Sequence, residues 1–147
     1  MKKREIRLDG LSKIQFRTAL LEEPDDSFFA VSIAFVGRYG NGSLGNGDGR
    51  FMAAMAHAAL NAWWPLGLIL DLRELQYEFG NTILDAINAG RDDDSGDWIT
   101  PTRLVVSRHC RGGMISLMEY VQCDPAIWLL DTVEDAYEAV RQLASDD

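Results

Sequence analysis

The sequence predicts an α/β fold, with a mixed, mostly parallel sheet of about five strands and four helices in a single domain over residues 1–147. Three observations carry this. After an initial pair of strand-like segments, strand and helix patterns alternate to the end of the chain, which predicts right-handed crossovers onto a parallel sheet. Residues 66–72 (LGLILDL) are a continuous apolar run of strand length, as expected for a central strand covered on both faces. A chain of 147 residues, 47% apolar and 25% charged, can bury one sizeable core and gives no compositional case for disorder or a second domain.

Taken in order, residues 12–21 (SKIQFRTALL) place Ile14, Phe16, Thr18 and Leu20 at period two, a half-buried strand. Residues 22–27 (EEPDDS) are turn chemistry, and 28–36 form a second strand that pairs antiparallel with the first. Residues 37–50 hold six glycines and read as a long flexible loop. Residues 51–64 (FMAAMAHAALNAWW) are rich in helix formers and almost wholly apolar, which predicts a largely buried helix with His57 and Asn61 as a satisfied core pair. Trp63, Trp64 and Trp128 are expected in the core on the same grounds. Pro65 ends this helix.

Residues 80–90 (GNTILDAINAG) read as a short helix with Asn81 as N-cap and Gly90 at its stop. An acidic loop, RDDDSGD, follows. Residues 103–107 are a strand and 112–122 a helix with Met114, Ile115, Leu117, Met118 and Val121 on its apolar side. Residues 126–130 (AIWLL) are the fifth strand. In 132–144, Thr132 and Asp135 make a capping start, and Val133, Ala136, Tyr137, Val140, Leu143 and Ala144 share one face.

Fourteen basic against 23 acidic residues give a net charge of −9, which opposes nucleic-acid binding and favours a protein partner with a basic surface. The charge is uneven. Residues 1–17 carry six cations against Glu5 and Asp9, which leaves −13 on the rest. No apolar run approaches the ~20 residues of a membrane span. The basic start is not followed by the apolar segment of a signal peptide, so a cytoplasmic protein is expected. Two cysteines and two histidines at these spacings predict neither a disulfide framework nor a metal site, and no cofactor is expected.

With GLILDLRELQYEFGNTILDAI in the middle and LLDTVEDAYEAVRQLA at the end, residues 12–144 resemble the STAS domain of bacterial anti-anti-sigma factors and sulfate transporters. The matching features are the apolar strand ending in Asp71-Leu72, the hydrophobic positions Leu75 and Tyr77, the short loop into a helix, and a final capped helix carrying Ala136. The resemblance implies a STAS-like fold, a bacterial source, and a non-catalytic protein that binds another protein as its regulator. Regulatory members carry a D-S-S-G-like segment whose second Ser is phosphorylated by a partner kinase that is also the binding target. Here that stretch reads Phe79-Gly80-Asn81-Thr82, with Asn81 at the Ser position and Thr82 the only hydroxyl nearby. Thr82 is then either a switch at a helix start or, with Asn81, a simple cap.

The candidate partner surface is acidic: Gly80, Asn81, Thr82 and Asp85 at the helix start, joined by Asp92, Asp93, Asp94, Asp97 and an exposed anchor, Trp98. Docking it on a basic surface would block the partner, as a regulator does or as an immunity protein neutralises a cognate toxin.

Two constellations support a different class, a small anion- or phosphate-binding enzyme. Ser107 to Gly113 (SRHCRGG) resembles the H-C-x-x-G-x-x-R loop of cysteine phosphatases, offering His109, Cys110, Arg111, Gly112 and Gly113 for an anion, but Ser116 stands where the clamping Arg belongs. Gly40, Gly42 and Gly45 spell G-x-G-x-x-G, yet NGDGR intervenes before the helix, and Asp71 lies 31 residues after Gly40 rather than about 20. A homodimeric scaffold is the third reading.

Overall fold

The computed structural model describes residues 1–146. β1 (Gln15–Glu22) and β2 (Phe29–Arg38) form an antiparallel hairpin, in register from Gln15 opposite Val36 to Glu22 opposite Phe29. From β2 onward every pairing is parallel: β3 (Gly67–Asp71) beside β2, β5 (Thr102–Val105) beside β3, and β6 (Leu129–Leu130) beside β5. β4 (Leu75–Gln76) extends the far end of β2, pairing with Gly37 and Arg38. The sheet order is β1-β2-β3-β5-β6, with β4 off this path.

The two faces are covered unequally. α1 (Asn46–Trp63), α2 (Leu84–Ile87) and α3 (Arg111–Tyr120) belong to the larger core, which gathers Val31, Ile33, Phe35, Leu68, Leu70 and Leu104 from the sheet. The smaller core sets Ala136 and Val140 of α5 (Val133–Ser145) against Ala30, Ile69 and Val105. Consecutive residues of β3 thus alternate between two buried layers, the physical reason for its unbroken apolar run. Thr132 caps α5 by accepting from the Asp135 N–H at 3.1 Å. Among the described residues no helix is long and apolar enough to cross a membrane.

The fold class is as expected, with local corrections. β1 is an edge strand, exposed at every residue but Leu21, and it touches α1 where the Phe16 ring meets Phe51 edge-on with centroids 6.0 Å apart. The stretch 37–50 is not one irregular loop. Gly42–Gly45 is a 3-10 turn and Asn46 already opens α1, so packing has overridden the poor helix propensity of NGDGR. A side chain at Gly47 would sit 2.4 Å from the Leu11 carbonyl, so glycine is needed for that close approach.

At the other end of α1, His57, Asn61, Trp63 and Trp64 are exposed rather than core, because the helix outruns the sheet it covers. The helix expected over 80–90 is only α2 and a 3-10 turn, Asn88–Gly90, and no side chain caps α2. Residues 126–130 split into α4 (Pro125–Trp128) and β6. The Asp124 carboxylate accepts the Ala126 N–H at 2.9 Å and Pro125 sits in the first turn, a start signal that outweighed the apolar run. Among the described residues there are therefore five α-helices and six strands.

Candidate functional site

At the carboxyl ends of the parallel strands, where ligands and partners of open α/β sheets meet the fold, the chain from Tyr77 to Thr82 makes a tight turn against Tyr39, Gly42 and α1. The Tyr77 hydroxyl donates to the Gly80 carbonyl at 2.7 Å, and the Gly42 N–H donates to the Phe79 carbonyl at 3.2 Å. Gly80 has φ +139°, in the region that favours glycine. The Tyr77 N–H reaches the His109 carbonyl, and a Cβ on Gly113 would lie 2.4 Å from the Glu78 carbonyl, so the start of α3 closes the turn from behind.

Fixed in this way, the turn presents Phe79 at 56% exposure with its ring against Gly42, the 3-10 turn that begins at Gly42 exposes Leu44 at 83%, and Asn41 donates to the Glu78 carboxylate at 3.3 Å. Sequence reasoning passed over Phe79 and Leu44. The available signal was an aromatic and an aliphatic residue at polar, glycine-flanked positions.

Asn81 is exposed, and its carbonyl accepts the Leu84 N–H. Thr82 is half-buried, its hydroxyl donating to the Asn46 side-chain carbonyl at 2.6 Å. Neither side chain caps α2. Asp85 is exposed in the first turn of α2.

The glycine loop beneath is filled by the chain itself. The Asp48 carboxylate accepts the Gly40 N–H at 2.8 Å and the Ser12 hydroxyl at 2.5 Å. An acidic side chain thus occupies the place a phosphate would take at the start of α1, the opposite of a nucleotide cradle.

The acidic loop lies elsewhere. Asp92 N–H donates to the Asp97 carbonyl and Gly96 N–H to the Asp92 carbonyl, both at 2.8 Å, while Arg91 and Trp98 form an antiparallel bridge. The Asp92 carboxylate is held below its ordinary pKa by hydrogen bonds from the Ser95 side chain and the Asp94 backbone. This loop leads into Thr100 and Pro101, at the amino ends of β3 and β5, where the Leu68 N–H donates to Pro101. The 80–82 turn and the 92–97 loop are therefore at opposite ends of the sheet and do not make one acidic surface. The carboxyl end carries Arg38, Arg73 and His109 around a cleft of about 520 Å³, as well as Glu74. Trp98 is half-buried rather than an exposed anchor, tilted on Trp128 at 5.1 Å between ring centroids, with the Arg103 guanidinium 4.7 Å over the Trp128 ring.

No family model matches the sequence, and neither does any curated protein. Among solved structures, an anti-sigma factor antagonist from Mycobacterium paratuberculosis matches over 86% of this chain and 95% of its own, with a TM-score of 0.50 and 17% identity. The fold is STAS-like. In this fold the 78–82 turn lies between β4 and α2.

The cysteine loop is structural in geometry. Cys110 is 1% exposed, and its thiol donates to the Leu72 carbonyl at 3.2 Å. Burial pushes its pKa up, where a phosphatase thiol needs it lowered. Arg111 is paired with Asp131, Gly112 is exposed, and His109 is exposed, facing solvent rather than a nucleophile's pocket. The enzyme reading thus loses its nucleophile. Native Cys110 is expected to alkylate with iodoacetamide at neutral pH at least about tenfold more slowly than half-buried Cys123, with the two rates converging in urea. Fast, phosphate-protected labelling of Cys110 in the folded protein is the contrary result.

Proposed function

We propose that this STAS-like chain is a non-catalytic regulator that binds a partner protein through the 78–82 turn and does so without a phosphorylation switch. The observation that carries the reading is Phe79: a large apolar ring, more than half exposed, on a turn whose backbone is hydrogen-bonded on both sides. Rigid aromatic anchors of this kind dominate binding energy because little conformational freedom remains to be lost. Leu44 extends the apolar patch, and Asn41, Glu78, Asn81 and Asp85 supply a polar rim. Asn81 has no hydroxyl to phosphorylate, and the Thr82 hydroxyl is already engaged with Asn46. The net charge of −9 favours a basic partner surface by steering its approach.

The test is capture from a bacterial lysate with the full chain at low and high salt, beside a Phe79→Ser/Leu44→Ser variant. Both side chains point to solvent, so the variant folds. A stoichiometric partner that binds the wild type and is weakened about tenfold to a hundredfold by the double substitution is the expected result. A partner retained undiminished by the variant, or none at either salt, would overturn the reading.

A further inference from the structure

The amino end of the sheet, remote from the 78–82 turn, carries a second apolar surface. The carboxyl end of α1, the 99–101 segment and the end of α5 enclose an open cleft of about 480 Å³, lined by Leu60, Trp64, Leu66, Ile99, Pro101 and Ala144. Trp64 is 80% exposed and Ile99 75%. Trp64 closes α1 at φ +50°, the left-handed position where glycine or asparagine is the usual choice, its N–H donating to the Leu60 carbonyl. The Trp64 indole N–H donates to the Asn61 carbonyl at 2.9 Å, which holds the ring in place while leaving it exposed, and a bulky residue kept at this backbone position suits a contact surface. Gly90 and Ile99 of this cleft lead into the acidic 92–97 loop, whose Gly96 carbonyl accepts from the Arg91 guanidinium at 2.7 Å and where no cation of the described residues forms an ion pair with Asp92, Asp93, Asp94 or Asp97.

The chain also carries the complement of this surface. Residues 1–11 are exposed throughout, and they combine Lys2, Lys3, Arg4 and Arg7 with Ile6, Leu8 and Leu11, apolar side chains left 79%, 58% and 42% exposed. In the structure this arm does not cover the cleft of its own molecule: it is tied at Ser12 to Asp48 in the first turn of α1, the end of that helix opposite Trp64, and Ile6 and Trp64 are left 79% and 80% exposed.

We infer that the chain self-associates head to tail, the basic apolar arm of one copy seating in the acid-flanked Trp64–Ile99 cleft of a second. The pairing is heterologous, with arm and cleft at opposite ends of each copy, so association continues beyond a dimer unless it closes into a ring. Opposite charge on arm and loop makes it salt-sensitive.

The experiment is sedimentation velocity of the full chain over a concentration series at low and high salt. Mass that rises with concentration at low salt and falls back at high salt is expected. Two charge-reversed variants, one with Lys2, Lys3 and Arg4→Glu and one with Asp93, Asp94 and Asp97→Lys, should each be monomeric, and mixing them in equal amounts should restore association, since each supplies the other's lost complement. Trp64→Asn should abolish association while keeping or raising the melting temperature, and Phe79→Ser should leave it unchanged, which separates this surface from the proposed regulatory one. A monomer at every concentration and salt overturns the inference. So does association that survives either charge reversal, which would mark a symmetric apolar dimer, or variants that stay monomeric when mixed.

Discussion

Gly45→Ala is expected to lower the unfolding free energy by about 3 kcal/mol, the upper part of the usual overpacking range, and the melting temperature by roughly 6–12 °C. A Cβ at Gly45 would lie 2.2 Å from the Gly40 carbonyl oxygen and 2.2 Å from Cε1 of Tyr39. Neither neighbour can give way easily. Gly40 is held through its N–H by Asp48, and the Tyr39 ring is wedged edge-on against Tyr77, with centroids 5.2 Å apart. Any shift that admits the methyl group therefore moves the floor of the 78–82 turn. Gly112→Ala is the control. Nothing lies within 4 Å of its Cβ position in the first turn of α3, so the variant gains helix propensity of up to ~1 kcal/mol without a clash. Equal melting temperatures for wild type and Gly45→Ala would mean that the glycine loop does not pack as described.

Stability is expected to begin to fall above about pH 9, where the unfolded chain's Cys110 thiol ionises while burial keeps the folded one protonated, and to fall steeply between about pH 10 and 12. Burial pushes Tyr77 up to about 12, and it raises Tyr39 as well, helped by the neighbouring Tyr77 and Asp48. In the unfolded chain both phenols titrate near 10. Between the unfolded and folded values the native state holds more protons, so stability decreases as pH rises. The contribution is fully present below pH 10 and lost as pH rises through the folded pKa. Urea unfolding followed across pH 8–12 measures this. Tyr77→Phe should start from a lower plateau, because the Gly80 carbonyl loses its 2.7 Å donor, yet decline less steeply. Tyr120→Phe, at an exposed ring, should leave the profile unchanged. A Tyr77→Phe profile parallel to the wild type would show that the phenols titrate normally in the folded protein.

The elements that were legible in the sequence are those whose pattern is set by a single layer of packing. β3 reads as buried on both faces because α1 and α5 do cover both, and α5 reads as amphipathic because one stripe meets Ile69 and Val105 while the other meets water. The 78–82 turn drew attention in the sequence through the resemblance around Asp71-Leu72, Leu75 and Tyr77, whereas the exposure of Phe79 and Leu44 emerges only in the folded chain. The glycine loop and the cysteine loop misled for one reason. Each matches a local anion-binding pattern, but Asp48 fills the first and burial against Leu72 silences the second, and both facts depend on residues far apart in the chain.

By itself the sequence determined the class of fold, the succession of its longer strands and helices, the parallel sheet and the uneven charge, because periodicity, turn residues and composition act over a few positions at a time. Only the tertiary structure decided which surfaces those elements leave open. The helix ending at Trp64 outruns its sheet, and the acidic loop follows α2 down to the amino ends of the strands while Gly80 stays at their carboxyl ends. Position along a strand axis is thus a property of how segments stack on one another, and no short stretch of residues encodes it.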